Sequence, residues 1–248
     1  MFKEVVISIQ SWGEAHRFIS QHKLWKWVII PGLFYTALFL AGMYFFGRSA
    51  TAVIAAFTNE MQLSNWIQKF QNSFLGFLFT FTGVIVWISC LLFYFSFFKY
   101  ICLIIGSPLF AYLSRKTRNI IGGNEQKVRW ADIRPQAQRG IIVALRNCGW
   151  QTIYLVGLLL LSLIPVVGWI TPLIILAVEC YYYGFSMVDY GLSGNAYSSS
   201  DSIRFIGRHK GLAIANGFLF YLMHAVVIVA PAYAIVAATL TAHQVKDN

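Results

Sequence analysis

Residues 148–190 read CGWQTIYLVGLLLLSLIPVVGWITPLIILAVECYYYGFSMVDY, from Cys148 to Tyr190. The run is apolar on both sides of Ile164-Pro165-Val166-Val167-Gly168-Trp169, carries one acid, Glu179, in its second arm, and closes on Asp189-Tyr190. Proline cannot continue a helical hydrogen-bond ladder and glycine permits a turn, so the break falls at Pro165/Gly168. The first arm, Thr152 to Ile164, has 13 residues. At roughly 1.5 Å of rise each it is about 20 Å long, short of the ~30 Å hydrocarbon core of a bilayer. Unless its helix starts well before Thr152, this arm cannot cross. The stretch is expected to enter the membrane, turn, and leave on the side it came from. A turn at that depth is tolerated only where protein or water surrounds it, so the hairpin predicts packing around a wet cavity rather than a lipid anchor.

Hydrophobic residues make up 58% of the chain and charged residues 11%, where a soluble domain carries about 25% charge. Charge-free runs cover Trp27–Gly47, Phe70–Phe98, Asn147–Val178 and Gly211–Val245, each longer than the ~20 residues a span needs. The chain therefore reads as an integral membrane protein. Its formal charge of +10 is assigned to topology and lipid headgroups; nucleic-acid binding is not expected. Cys90, Cys102, Cys148 and Cys180 lack CxxC spacing and sit in or near apolar segments, so neither a metal site nor a disulfide framework is expected. No Ser-His-Asp context, HExxH, P-loop or GxGxxG pattern occurs, and neither an enzyme activity nor a cofactor is expected. Lys3, Glu4, Glu14 and Arg17 interrupt the start of the chain, which does not read as a signal peptide.

In order, residues 1–22 read as an amphipathic helix in the membrane interface. Phe2, Val5, Val6 and Ile9 recur at helical spacing, Trp12 and Ile19 extend that face, and Lys3, Gln10, Glu14 and Arg17 take the other. The other reading is a helix packed on the rest of the protein. Residues 23–105 hold two transmembrane helices, about Trp27–Phe46 and from Asn72 toward Ile105. A mixed loop over 47–70, with a short helix near Trp66 and Ile67, joins them. Pro31 falls in the first turns of the first span, and Gly106-Ser107-Pro108 ends the second. Residues 106–146 are basic: eight bases from Arg115 to Arg146 outnumber two acids, Glu125 and Asp132, which places the segment and both termini in the cytoplasm. Gly122-Gly123-Asn124 marks a turn. After the hairpin over 147–190, residues 191–210 form a cytoplasmic helix that starts at Ser198-Ser199-Ser200-Asp201. Residues 211–248 form a second hairpin, broken at Pro231, and a polar tail. Its second arm, Ala232–Ala242, has 11 residues and is again too short to cross. Two short, proline-broken apolar units in corresponding positions point to a transport site.

The fold class is therefore all-α integral membrane: two long transmembrane helices, two hemi-penetrating helical hairpins and an N-terminal amphipathic helix. From about Lys23 to the last hairpin the chain resembles the CysZ sulfate permeases and the related etoposide-induced membrane proteins. The matching pieces are the basic-aromatic entry to Val28-Ile29-Ile30-Pro31, Gly106-Ser107-Pro108-Leu109 with Leu113, Ile164-Pro165-x-x-Gly168, and Asp189-Tyr190. The resemblance implies the same four-part membrane fold, homo-oligomers, and sulfate uptake that feeds assimilation in a bacterial inner membrane. The chain departs from that pattern at three places. Trp25-Lys26, with Lys23 nearby, stands where the family has two adjacent arginines; Gly191 stands where proline follows Asp-Tyr; and Glu179 stands in an arm that is otherwise apolar or neutral.

A sulfate dianion must exchange water for charged side chains, hydroxyls and free amides at helix N-termini. Lys23 and Lys26 stand at the N-terminus of the first span, where side-chain charge and helix dipole add. They are the candidate substrate-binding residues, and contact with lipid phosphates is their plainer role. Arg139 and Arg146, seven apart, share a helical face; they line a cytoplasmic mouth or lie on a solvated surface. Glu179 is costly in apolar surroundings, so it marks a coupling site or a hydrogen-bonded structural acid. Its expected partners are Tyr182, Tyr183 or a base such as Arg204. Asp189 closes the arm as a cap or pairing partner, and His224 reads as a satisfied core residue. The expected partners are sulfate or a similar oxyanion, membrane lipids and further copies of the chain. A non-transporting membrane scaffold with the same fold is the alternative.

Overall fold

The computed structural model describes residues 2–60, 74–123, 128–164, 166–193, 198–223 and 229–246. Among them the chain is all helical, with no strand. Helix α1 is Phe2–Gln21, α2 Trp25–Glu60, α3 Phe74–Ile105, α4 Ser107–Ile121 and α5 Trp130–Ser162. A short 3-10 turn, Val167–Ile170, leads into α6 Thr171–Leu192, followed by α7 Ser199–Arg208, α8 Lys210–Met223 and α9 Ala230–Lys246. The expected short helix at Trp66 and Ile67 falls outside the described residues, as do Asn124, Pro165 and His224.

Among the described residues three segments are long and apolar enough to cross a membrane: Trp25–Ser49, Trp130–Ser162 and Val167–Leu192. A fourth exists if Ser96–Ile105 and Ser107–Ile121 form one broken span, bent by 67°. The bend falls at Gly106-Ser107-Pro108, as the sequence predicts; Pro108 sits in the first turn of α4, where its missing donor is not needed.

Several expected boundaries move. The first span does not end at Phe46: α2 continues to Glu60, into the expected loop. The first arm of the hairpin starts not near Thr152 but at Trp130, so α5 has 33 residues and is about 50 Å long. Length therefore does not keep that arm from crossing, and the division at 146/147 lies inside one helix. Pro135 is accepted in the second turn of α5, close to its start. Pro231, expected to break the second apolar unit, lies in the first turn of α9, which starts at Ala230. The second arm has 17 residues rather than 11; at about 26 Å it is still short of a bilayer, as is the ~21 Å α8.

Helix α9 forms the centre of the described residues. Every residue from Ala230 to Thr239 is buried, because α9 is wrapped by α1, α4, α6 and α8. The α6–α8 packing is the closest in the molecule. A Cβ added at Gly184 would strike the Ala213 carbonyl, and one added at Gly217 would strike that of Cys180. Small residues four apart on both helices let the two backbones touch. Tyr183 stacks on Phe220, centroids 3.8 Å apart.

Helix α1 forms as expected, but only the Trp12 and Ile19 end of its expected apolar face turns inward. Ser8, Ser11, Trp12, Ala15 and Ile19 are buried, whereas Val6 and Ile9 point outward. It is tied to the second hairpin: Trp12 Nε1 donates to Asn216 Oδ1 at 2.7 Å, and His16 Nδ1 lies 2.7 Å from the Tyr233 hydroxyl. Helix α7 starts where predicted, in a reciprocal cap between Ser198 and Asp201. The hydrogen bonds from Ser198 hold the Asp201 carboxyl below its usual range. A lowered folded value means that the cap is intact at neutral pH and is lost as pH falls through that value. Ser198→Ala is expected to speed hydrogen exchange at the Asp201 amide and to remove its acid sensitivity.

Candidate functional site: a buried ionic cluster between four helices

Four helices bring polar side chains to one point inside the apolar bundle. Helix α3 supplies Ser96, Lys99 and Tyr100, α5 supplies Gln151, α6 supplies Glu179 and α8 supplies Tyr221. The Lys99 and Glu179 side chains are 3% and 1% exposed. Lys99 Nζ meets Glu179 Oε2 at 2.5 Å and also donates to the Glu179 backbone carbonyl at 3.3 Å. The Tyr221 hydroxyl donates to Oε2 at 2.6 Å, and Gln151 Nε2 donates to Oε1 at 2.5 Å. Gln151 is itself held: Tyr100 donates to its Oε1 at 2.6 Å, and its Nε2 also reaches Ser96 Oγ. Lys99 lies over the Tyr100 ring, 5.1 Å from its centroid. An isolated charge in such surroundings is prohibitive; a paired and fully hydrogen-bonded one is tolerated.

Glu179 thus finds partners other than those expected. Tyr183 stacks on Phe220 instead, and Arg204 lies on the exposed side of α7. Sequence reasoning missed Lys99, Gln151 and Tyr221. A signal existed: Lys99 is the one charged residue in α3, as Glu179 is in the apolar part of α6. Two lone, opposite charges in two apolar helices have reason to meet.

A second polar cluster joins α5, α6 and α7. Arg139 Nη2 meets Asp189 Oδ1 at 2.9 Å, and Ser202 Oγ donates to the same oxygen at 2.5 Å. Asp189 is thereby the pairing partner the sequence allowed. Nearby, Arg118 closes the end of α6, donating to the Tyr190 and Gly191 carbonyls, both at 3.1 Å. A cation suits the negative end of a helix. Arg139 and Arg146 find different partners: Arg139 is drawn into the Asp189 cluster, while Arg146 is exposed and reaches Asn147 and the Phe185 ring. Lys23 and Lys26 are both exposed, at the α1–α2 turn, where Lys23 adopts a left-handed backbone with φ of 53°. The structure does not bring them to the buried cluster.

Two cavities lie along this side of the bundle. One, of 170 Å³, borders Lys99, Glu179, Tyr221 and Tyr35. The other, of 370 Å³, is apolar and runs along α2 from Val28 past Tyr35 to Leu38, with Gly106, Phe110 and Pro231 on its far wall. Tyr35 belongs to both.

A bundle of long apolar helices that encloses a satisfied ion pair beside a cavity defines an α-helical membrane protein with a buried polar site. The family model described as sulfate transporter CysZ/etoposide-induced protein 2.4 matches residues 11–234. The chain belongs to that family. Comparison with curated proteins gives no match.

Proposed function

We propose that the protein is a permease or channel for sulfate or a similar oxyanion, placed in the cytoplasmic membrane with both termini inside and working as a homo-oligomer to supply assimilation. The observation that carries this reading is the Lys99–Glu179 cluster. Ionisable residues held inside membrane helices mark ion pathways by default, and here the chain's family is a transporter one. Lys23 and Lys26 are the first contact for the anion, where their charge concentrates it at the mouth. Tyr35 lies nine residues beyond Lys26, about 14 Å along α2. The apolar cavity that runs past Tyr35 is then the dry part of the route, a constriction that gates by wetting. Both hairpins return the chain to the side they leave, so this topology holds whether their arms cross fully or part-way.

Uptake of radiolabelled sulfate into proteoliposomes tests this reading. Saturable uptake that unlabelled sulfate competes and chloride does not is the expected result. Lys23→Gln/Lys26→Gln is expected to abolish that uptake and leave the folded protein intact; unchanged flux removes these lysines from the route. The apolar lining of the larger cavity favours a second reading, a scaffold that keeps the fold without transport. Uptake no faster than in empty liposomes, with protein folded and inserted, supports that one.

A further inference from the structure

The three donors that hold the Glu179 carboxylate come from three helices, and none is on its own helix. Lys99 Nζ comes from α3, Gln151 Nε2 from α5 and the Tyr221 hydroxyl from α8. Of the three, Lys99 also touches the backbone of α6, donating to the Glu179 carbonyl at 3.3 Å. Tyr100 donates to Gln151 Oε1, which leaves the amide nitrogen aimed at the carboxylate. One ammonium, one amide and one hydroxyl around two oxygens form a receptor for an oxyanion, preorganised before any ligand arrives. The receptor is filled from inside the chain. Beside it the 170 Å³ cavity borders Lys99, Glu179 and Tyr221, several times the ~30 Å³ share of one water.

We propose that Glu179 is a tethered stand-in for the transported anion, seated in an oxyanion receptor of Lys99, Gln151 and Tyr221, and that a proton taken up by Glu179 vacates this receptor for a sulfate-like oxyanion. The inference rests on the permease reading for its ligand. A proton from water bonds to a carboxylate oxygen of Glu179, and the neutral acid no longer offsets the Lys99 ammonium. A buried cation without a counter-charge draws an anion, and the cavity gives it room beside the donors. When the anion leaves, Glu179 releases the proton to water and the carboxylate returns to Lys99. The titratable groups facing Glu179 are Lys99 and Tyr100 on α3, Cys148 on α5, Cys180 on α6, Tyr221 on α8, and Tyr35 across the cavity from α2. None of them is an acid of the carboxyl class, so the proton has one place to go.

Binding of radiolabelled sulfate to the purified full chain tests this, alongside flux in proteoliposomes. Wild-type protein is expected to bind sulfate more tightly in acid than in alkali. Glu179→Gln is expected to bind at both, at least about tenfold tighter than wild type when alkaline, and its melting temperature is expected to rise with sulfate concentration. Tyr221→Phe keeps the ion pair and removes one donor, so its sulfate affinity in acid is expected to fall by about tenfold. Equal affinity in Glu179→Gln and wild type at both pH values overturns the proposal. If Glu179→Gln does not fold even with sulfate present, a wild-type affinity flat in pH, or untouched by Tyr221→Phe, overturns it instead. Sulfate flux with no pH dependence sinks the tethered stand-in and leaves the permease reading in place. Acid-dependent binding without flux does the reverse.

Discussion

Lys99→Met is expected to destabilise the detergent-solubilised protein by about 3–5 kcal/mol, the cost of leaving a buried charge without its partner. The charge left behind is Glu179, which is 1% exposed and keeps only Gln151 and Tyr221 as donors. Desolvating the pair has a cost that the attraction between the charges offsets only while both are present. Lys99→Met/Glu179→Leu removes both charges and fills the space with apolar atoms, so it is expected to recover most of the loss. Thermal unfolding of the two single variants and the double gives a cycle whose coupling is the worth of the pair. A purely structural pair and the proposed receptor both predict the loss in Lys99→Met. They differ in the double variant, which is expected to be stable and unable to bind sulfate.

Gly184→Leu is expected to abolish recovery of monodisperse protein. The side chain would have to pass through the Ala213 carbonyl and reach the Gly217 amide, both backbone atoms that no rotamer change can move. The α6–α8 contact would open, taking Tyr221 from Glu179 and Phe220 from Tyr183. Gly217→Leu is expected to fail in the same way against Cys180. Gly157 and Gly149, on the outer side of α5, meet nothing within 4 Å. Gly157→Leu is therefore the control, expected to give protein indistinguishable from wild type in size-exclusion chromatography.

The membrane class, the bend at Gly106, the end of α5 ahead of Ile164 and the start of α7 were all legible, because each rests on a local rule about proline, glycine, caps or apolar runs. The start of α5 was not. Residues 130–146 carry three arginines, and charge reads as a boundary even where the helix simply continues out of the apolar region. The inward face of α1 was legible at Trp12 and Ile19 but not at its serines. Ser8 and Ser11 are buried where a hydrophobicity rule places them outside, because their small size lets α1 lie close against the second hairpin. Glu179 was recognisable as costly, but its partners come from 80, 28 and 42 residues away. No local pattern carries pairings of that span; only the scarcity of charge in α3 and α6 hinted at the first. Lys23 and Lys26 were singled out by position on the first span, and position alone says nothing of what lies beneath an exposed side chain.

The full enclosure of α9 has a consequence for how the molecule is made. During synthesis this helix leaves the ribosome after every helix it packs against. Until it arrives, α1, α4, α6 and α8 must border a groove one helix wide, open along its length. A chain interrupted at residue 229 would present that groove to lipid, to chaperones or to another nascent copy. Supplied separately, a peptide covering Ala230–Lys246 should seat itself there and restore the closed bundle, which makes the seating of α9 a docking event that can be timed, blocked or complemented.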